Sequence, residues 1–289
     1  MTSLLLLDKP ESITSFSAVA RARRVLGIKK AGHTGTLDPM ATGVLPILLG
    51  GATRFAEFLP SHDKAYIAGI QFGVVTDTLD ITGTILEEKP VNVSRNEIEA
   101  ALGQFRGNIQ QVPPMYSAKS QGGQRLYDLA RRGIEVEREA REVMIYRLEL
   151  LEDLSLYVEC SAGTYIRSLI DDLGRVLGCG ACMSSLRRTK ANGYRIDECV
   201  TLEELERGGT HGFVSINKVL KAYPAVCVTP AQAVRFRNGG ALDLARLKIQ
   251  NPAGGELHRV YNEEFFLGLG RIQGGELAVA RLLTASAPS

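Results

Sequence analysis

One carboxylate stands out for its setting. Asp38 lies in GHTGTLDPMATG, residues 32–43, a stretch with few bulky side chains. Gly32, Gly35 and Gly43 open backbone torsions that other residues avoid, and Pro39 fixes the chain just after the acid. Gly-rich polar loops are usually turns, and Asp before Pro is a common turn former. This stretch, however, carries no apolar period and runs straight into VLPILL, residues 44–49. A rigid loop that displays one acid beside a buried strand or helix is a common way to present a catalytic group. Glycosidic hydrolysis by paired acids would need a second carboxylate, and none accompanies Asp38 in its loop.

A buried carboxylate becomes protonated unless a cation or hydrogen-bond donors keep it ionised. Arg167 is the candidate cation. With Thr164 capping a helix over residues 164–177, Arg167 falls in the first turn, where the helix dipole disfavours positive charge. A cation held against that preference answers a nearby anion, either Asp38 or a phosphate. A solvent-exposed Arg would need no such partner, because there the dipole penalty is small.

The elements that must carry these groups can be sketched from periodicity. Residues 3–8 read as a short strand. A helix follows from Ser15 as N-cap to Gly27 as stop, with Phe16, Val19 and Leu26 inward and the arginines outward. Tyr66, Ala68, Ile70, Phe72 and Val74 alternate with Ile67, Gly69 and Gln71 along a strand, so Tyr66 by itself reads as a core tyrosine. Residues 97–105 form a short helix. Leu154, Leu156, Val158 and Cys160 alternate with Ser155, Tyr157, Glu159 and Ser161 in a half-buried strand. Ile166, Leu169, Ile170, Leu173 and Leu177 share one face of the helix that carries Arg167. Strands and helices interleave without a regular βαβ period, which predicts an α+β fold with a mixed sheet. No GxGxxG follows the first strand and no phosphate-binding GxxxxGK motif occurs, so no nucleotide cofactor is expected.

Beyond Tyr223-Pro224 the texture changes. Short apolar stretches at 225–228, 259–261, 265–269 and 277–282 are divided by glycine pairs at 239–240, 254–255 and 274–275. Short strands between Gly turns predict a small β-barrel over residues 225–289.

At 289 residues the chain can bury a full core, in one large domain or two unequal ones. Hydrophobic residues at 45% and charged residues at 23% fit a soluble globular protein. The apolar run at residues 4–7 is too short for a signal-peptide core or a membrane span, so a cytoplasmic location is expected, with no membrane partner. Net charge is only +2, but bases cluster at Arg21, Arg23, Arg24, Lys29 and Lys30, and again at Arg125, Arg131, Arg132, Arg138 and Arg141. Either cluster alone reads as a solvated helix face. Two of them flanking a Gly-rich acidic loop point toward an RNA partner. Five cysteines, an odd number without an export signal, argue against a disulfide framework. Cys179 and Cys182 have zinc-like spacing, yet Cys199 and His211 are too far apart to form the second ligand pair. The thiols are expected to pack as small apolar groups, and no metal is expected. Asp77, Asp80 and Glu88 suggest a calcium loop only loosely, because Leu79 and Ile81 stand where oxygen ligands belong.

GHTGTLDP resembles the catalytic motif of the tRNA pseudouridine synthase B family, and further blocks follow in family order. These are LLLLDKP at 4–10, PPMYSAKSQGGQRLYDLARRG at 113–133, GTYIRSLIDDLG at 163–174 and LRRT at 186–189. The resemblance implies a catalytic domain over residues 1–222 with a pseudouridine-synthase-like mixed sheet flanked by helices. It also implies an RNA-clamping insertion at about 113–141 and a PUA-like RNA-binding domain at 225–289, where GLGRI and GELAVARLL are similar to family sequence. It makes Asp38 the catalytic carboxylate, Arg167 its partner, and Tyr66 the residue that stacks on the target uracil. His33 is implied to wedge into the RNA loop; Tyr165 and Leu186 are weaker pocket candidates, and Lys9 is a support of the Asp loop or a substrate contact. The implied reaction is cofactor-free isomerisation of uridine 55 in the tRNA T-loop, by a monomer that flips the base from its stack. Rival readings are a guide-RNA-dependent pseudouridine synthase and an RNA chaperone that has lost catalysis.

Overall fold

A computed structural model describes residues 2–117, 120–121, 124–125, 129–130, 132–134, 136–249 and 253–283. The Gly122-Gly123 pair and Arg131, assigned to the clamping insertion, lie outside the described residues.

Strand β1 (Thr2–Lys9) explains why four consecutive leucines occur near the start of the chain. It pairs antiparallel with β3 (Thr42–Gly50), Leu5 opposite Ile47, and on its other edge with β14 (Val200–Thr201) and the short strand Phe213–Ser215. Leu5 and Leu7 enter the large core beneath the helices, whereas Leu4 and Leu6 face a second cluster with Phe55, Phe58 and Leu269. A strand covered on both faces has no polar side to alternate.

The main sheet runs β14-β1-β3-β12-β4-β11-β10-β7, which makes it mixed. Here β4 is Lys64–Phe72, β7 Gly107–Gln111, β10 Arg141–Leu150, β11 Leu156–Cys160 and β12 Ala181–Ala191. Short β2 (Ala31–His33) pairs with β3. Strand β12 lies antiparallel to β4 but touches β3 in parallel, placing Arg188 opposite both Tyr66 and Gly43. Gly43 has φ +104°, and a Cβ there would sit 2.2 Å from the Arg188 carbonyl oxygen. Close approach of the two strands therefore requires glycine at this position.

Helices α1 (Ser15–Val25), α2 (Arg95–Leu102) and α3 (Ile166–Val176) bury Ala18, Val19, Ile98, Ile166, Leu169, Ile170 and Leu173 against the sheet. The α1 prediction needs two corrections. Thr14, not Ser15, is the N-cap, accepting from the Ser17 N–H, and Phe16 is 75% exposed rather than inward. At α3 the cap position falls on Tyr165; Thr164 instead donates its hydroxyl to the Ser161 carbonyl. Arg167 still lies in the first turn. Leu154 leaves the predicted strand for a turn with φ +63°.

The C-terminal sheet has the order β16-β18-β19-β20-β17. Its strands are β16 (Ala225–Cys227), β17 (Leu242–Asp243), β18 (Leu257–Asn262), β19 (Phe265–Gln273) and β20 (Glu276–Leu282). Gly274 and Gly275, both at positive φ, close the β19–β20 hairpin as the glycine pair predicts. The helix Pro230–Arg237 had no counterpart in the strand-only reading, although Thr229 and Gln232 form a capping box ahead of it. Phe266 packs on Phe55 at 5.8 Å between ring centroids, joining this sheet to the second cluster.

Candidate active site

The loop carrying Asp38 is fastened through its backbone. Leu37 is buried, its N–H donates to Ser15 Oγ at 2.8 Å, and that hydroxyl donates to the Leu37 carbonyl at 3.0 Å. Fully buried Lys9 donates its ammonium to the carbonyls of Pro10, Ile13 and Pro39 at 2.8, 2.8 and 3.3 Å. Fully buried Arg188 reaches from β12 to the carbonyls of Val44, Thr36 and Gly35 at 2.7, 3.3 and 3.1 Å. The three ammonium protons of Lys9 and three of the five guanidinium N–H groups of Arg188 thus go to backbone carbonyls.

Asp38 then meets Arg167 with Nε 3.1 Å from Oδ2. The guanidinium is itself boxed in. Its Nη1 donates to the Thr78 carbonyl at 3.0 Å and lies 3.5 Å from Asp80 Oδ2, and its Nη2 donates to the Tyr116 carbonyl at 2.9 Å. Asp80, only 4% exposed, is in turn bonded through Oδ1 by the Thr78 hydroxyl and the Thr82 N–H. Gln111, also buried, holds the start of α3: the Tyr165 N–H donates to its Oε1 at 3.0 Å and its Nε2 donates to the Tyr165 carbonyl at 3.2 Å.

These groups surround a cavity of about 280 Å³ lined by Asp38, Tyr66, Tyr165, Arg167 and Leu186 together with Lys64 and Ser117. These five predicted residues, from four stretches of sequence far apart in the chain, thus converge on one hollow. Burial pushes the Asp38 carboxyl above its ordinary range; Arg167 pulls it back, Asp80 pushes it further up, and Lys9 opposes. About a third of the side chain, 34%, stays accessible from the cavity. Tyr66 is buried and its phenol is pushed up to about 12, chiefly by desolvation, so it is a neutral hydroxyl at neutral pH. Burial and then Arg188 draw Lys64 and His33 downward.

Two predicted site residues lie elsewhere. Lys9 is beneath the loop, not in the cavity lining, and burial lowers its ammonium to about 8. With all its donors turned to carbonyls it has no face for a substrate, which corrects its assignment as a substrate contact and leaves the loop support. His33 ends β2 outside the lining, and its Nδ1 has no hydrogen-bond partner among the described residues. The sequence reading missed Ser15 as a loop anchor, Arg188, Gln111, Tyr116 and Asp80. LRRT contains Arg188 but gives no sign that Arg187 goes to the surface pair with Asp8 while Arg188 goes inside. Asp80 was considered for calcium, whereas here it answers a guanidinium.

Among the described residues no group of three His, Cys, Asp or Glu side chains is placed to hold a metal ion, and no helix is long and apolar enough to cross a membrane. Cys179 and Cys182 are buried free thiols. Arg21 is committed to Glu206 through two bonds at 2.6 and 3.0 Å, so that member of the first basic cluster braces α1. Lys30, from the same cluster, shares a surface hollow with Arg54, Glu57 and Arg281.

Comparison with known proteins bears on this arrangement. Residues 23–166 match the TruB family pseudouridylate synthase N-terminal domain, 167–212 the tRNA pseudouridylate synthase B C-terminal domain, and 224–283 the pseudouridine synthase II TruB C-terminal region. The chain is 44% identical to tRNA pseudouridine synthase B of Stutzerimonas stutzeri, over 98% of this chain and 96% of that protein. Against the enzyme of the same name from Ectopseudomonas mendocina identity is 56%, over 70% of this chain and 68% of the relative. Among solved structures, a Cbf5–Nop10–Gar1 complex superposes with a TM-score of 0.73 and 26% identity, covering 98% of this chain and 85% of the matched one. The fold is thus that of the pseudouridine synthases, a mixed sheet flanked by helices with a PUA-like C-terminal half-barrel. The match to curated relatives is nearly end to end, and the chain belongs to the tRNA pseudouridine synthase B family.

Proposed function

We infer that this chain is a tRNA pseudouridine synthase, an isomerase that breaks the N-glycosidic bond of a uridine and rejoins the uracil to the same ribose through carbon. Atoms and electrons are conserved: the C1′–N1 bond is exchanged for C1′–C5, and the proton at C5 is replaced by one at N1. The observation that carries the reading is the Asp38–Arg167 pair at 3.1 Å on the wall of a cavity. Asp38 is the catalytic carboxylate, acting on the ribose, on the uracil or as a base on the sugar, and Arg167 favours its ionised form. Tyr66 and Leu186 offer apolar faces to the flipped base. With its phenol neutral, Tyr66 serves by stacking and through its O–H rather than as a phenolate. Tyr165 belongs to the same substrate pocket.

The target is uridine 55 in the T-loop of tRNA, flipped from its stack at a cost of a few kcal/mol. His33, a partly buried imidazole with an unused Nδ1, is suited to fill the space that the base leaves. Residues 1–222 form the catalytic domain and 225–289 the PUA-like RNA-binding domain, with about 113–141 clamping the RNA backbone. Basic side chains, including Lys30, bind phosphates and position the substrate. The protein acts as a cytoplasmic monomer.

A second reading has a specific motive, since a structural neighbour of 0.70 TM-score is an H/ACA RNP bound to a substrate RNA. Length favours the stand-alone enzyme, because the chain spans nearly all of its tRNA-modifying relatives. Purified protein incubated alone with an isolated T-stem-loop is expected to convert its uridine. Absence of conversion until a guide RNA is added would favour the second reading.

A further inference from the structure

Ser117 lines the same cavity as Asp38, Tyr66 and Arg167. It is 5% exposed, and its Oγ has no hydrogen-bond partner among the described residues. A buried hydroxyl without a partner destabilises the state that contains it, and such groups are rare in folded proteins. Its backbone nevertheless has partners. The Ser117 N–H donates to the Met115 carbonyl at 2.9 Å, and the neighbouring Tyr116 carbonyl accepts from Arg167 Nη2 at 2.9 Å. The guanidinium that holds Asp38 therefore also places Ser117.

We propose that the Ser117 hydroxyl is a substrate contact that hydrogen-bonds the polar edge of the uracil held in the cavity. This rests on the isomerase reading and adds a residue to it. Uracil presents two carbonyl acceptors and an imide N–H, and leaving any of them unpaired in a closed cavity weakens binding. Leu37, Ile166 and Leu186 offer apolar surface, and of the other polar linings the Thr164 hydroxyl is already given to the Ser161 carbonyl. A serine hydroxyl both donates and accepts and turns about its own Cβ–Oγ bond. It can serve a carbonyl or the imide N–H, and can follow the ring as it turns from attachment through N1 to attachment through C5. A change of χ1 well is enough to redirect the hydroxyl at a residue already in the cavity wall.

The free and bound states predict effects of opposite sign, which separates this role from a structural one. Ser117→Ala removes an unpaired hydroxyl from the free protein, so its melting temperature should be unchanged or higher. The same variant removes a bond from the reacting complex, so single-turnover conversion of full-length tRNA at saturating enzyme should fall by at least about threefold. Ser117→Thr keeps the hydroxyl and should convert tRNA faster than Ser117→Ala. A Ser117→Ala rate less than about threefold below the parent would overturn the proposal. So would a lowered melting temperature or failure to fold, since either means that the hydroxyl has a partner in the free protein. The parent chain runs in parallel; its own failure to make pseudouridine would count against the isomerase reading, a result distinct from any difference between parent and variant.

Discussion

On the Asp38 side of the cavity, Ser15, Lys9 and Arg188 bond the loop backbone from inside the core, each no more than 2% exposed. The stretch 113–117, which brings Ser117 to the cavity, is held more lightly. Arg167 bonds the Tyr116 carbonyl, Arg138 bonds the Pro113 carbonyl at 3.1 Å, and the Tyr116 hydroxyl stands 3.4 Å from Asp77 Oδ2. The first side fixes the acid proposed to react, and its anchors come from side chains in the core. The second leads into the segment assigned to RNA clamping, where firm anchorage would hinder closure on a substrate. Arg167 reaches both, and so ties the position of the carboxylate to that of residues 113–117.

The largest effect is expected where that tie is cut. Arg167→Met leaves Asp80 buried without its cation and should cost about 3–5 kcal/mol of stability in chemical denaturation. Turnover should fall more than tRNA affinity does; an unchanged rate would mean that the pair plays no part in the reaction. Next comes Arg188→Met, which removes the bonds to the Gly35 and Thr36 carbonyls of the Asp loop and to the Val44 carbonyl of β3, for about 3 kcal/mol. Ser15→Ala removes both bonds to Leu37 and should cost about 1–2 kcal/mol. Smallest is Tyr116→Phe, within about 0.5 kcal/mol, because a 3.4 Å contact is a weak hydrogen bond. If Tyr116→Phe destabilised the protein as much as Ser15→Ala, the contrast between the two sides would fail.

The pH dependence sharpens the same contrast. Burial raises the Asp38 carboxyl above the usual aspartate range and Arg167 opposes it. Activity that needs the carboxylate should therefore fall on acidification at a higher pH than an exposed aspartate would give. In Arg167→Met that acidic limb should move further up, and an unmoved limb would contradict the pairing.

Much of the core and half of the site could be read in the chain. The strand containing Tyr66, the strand ending at Cys160 and the apolar face of α3 follow from plain periodicity, which tertiary packing left intact. Asp38, Tyr66, Arg167, Tyr165 and Leu186 are singled out by motif resemblance, because they lie far apart in sequence, and the fold brings them to one cavity. The buried anchors escaped for a physical reason. Lys9, Arg188 and Gln111 are long polar side chains that sequence statistics place on the surface. Their burial depends on carbonyls contributed by distant segments, which no local pattern reveals. Thr14 and Ser15 are both good cap formers, and only the fold shows that Leu37 claims the second hydroxyl.

Asp38→Asn tests the central claim most directly. A carboxyl whose pKa is raised in the folded state contributes stability that is present below its unfolded value and lost as pH rises through its folded value. At neutral pH the neutral amide should therefore melt no lower than the parent. The same variant should bind tRNA with near-parental affinity and form no detectable pseudouridine, a loss of about 10⁴-fold or more. Substantial tritium release from tRNA carrying 5-tritiated uridine by a folded Asp38→Asn protein would contradict the assignment of this acid.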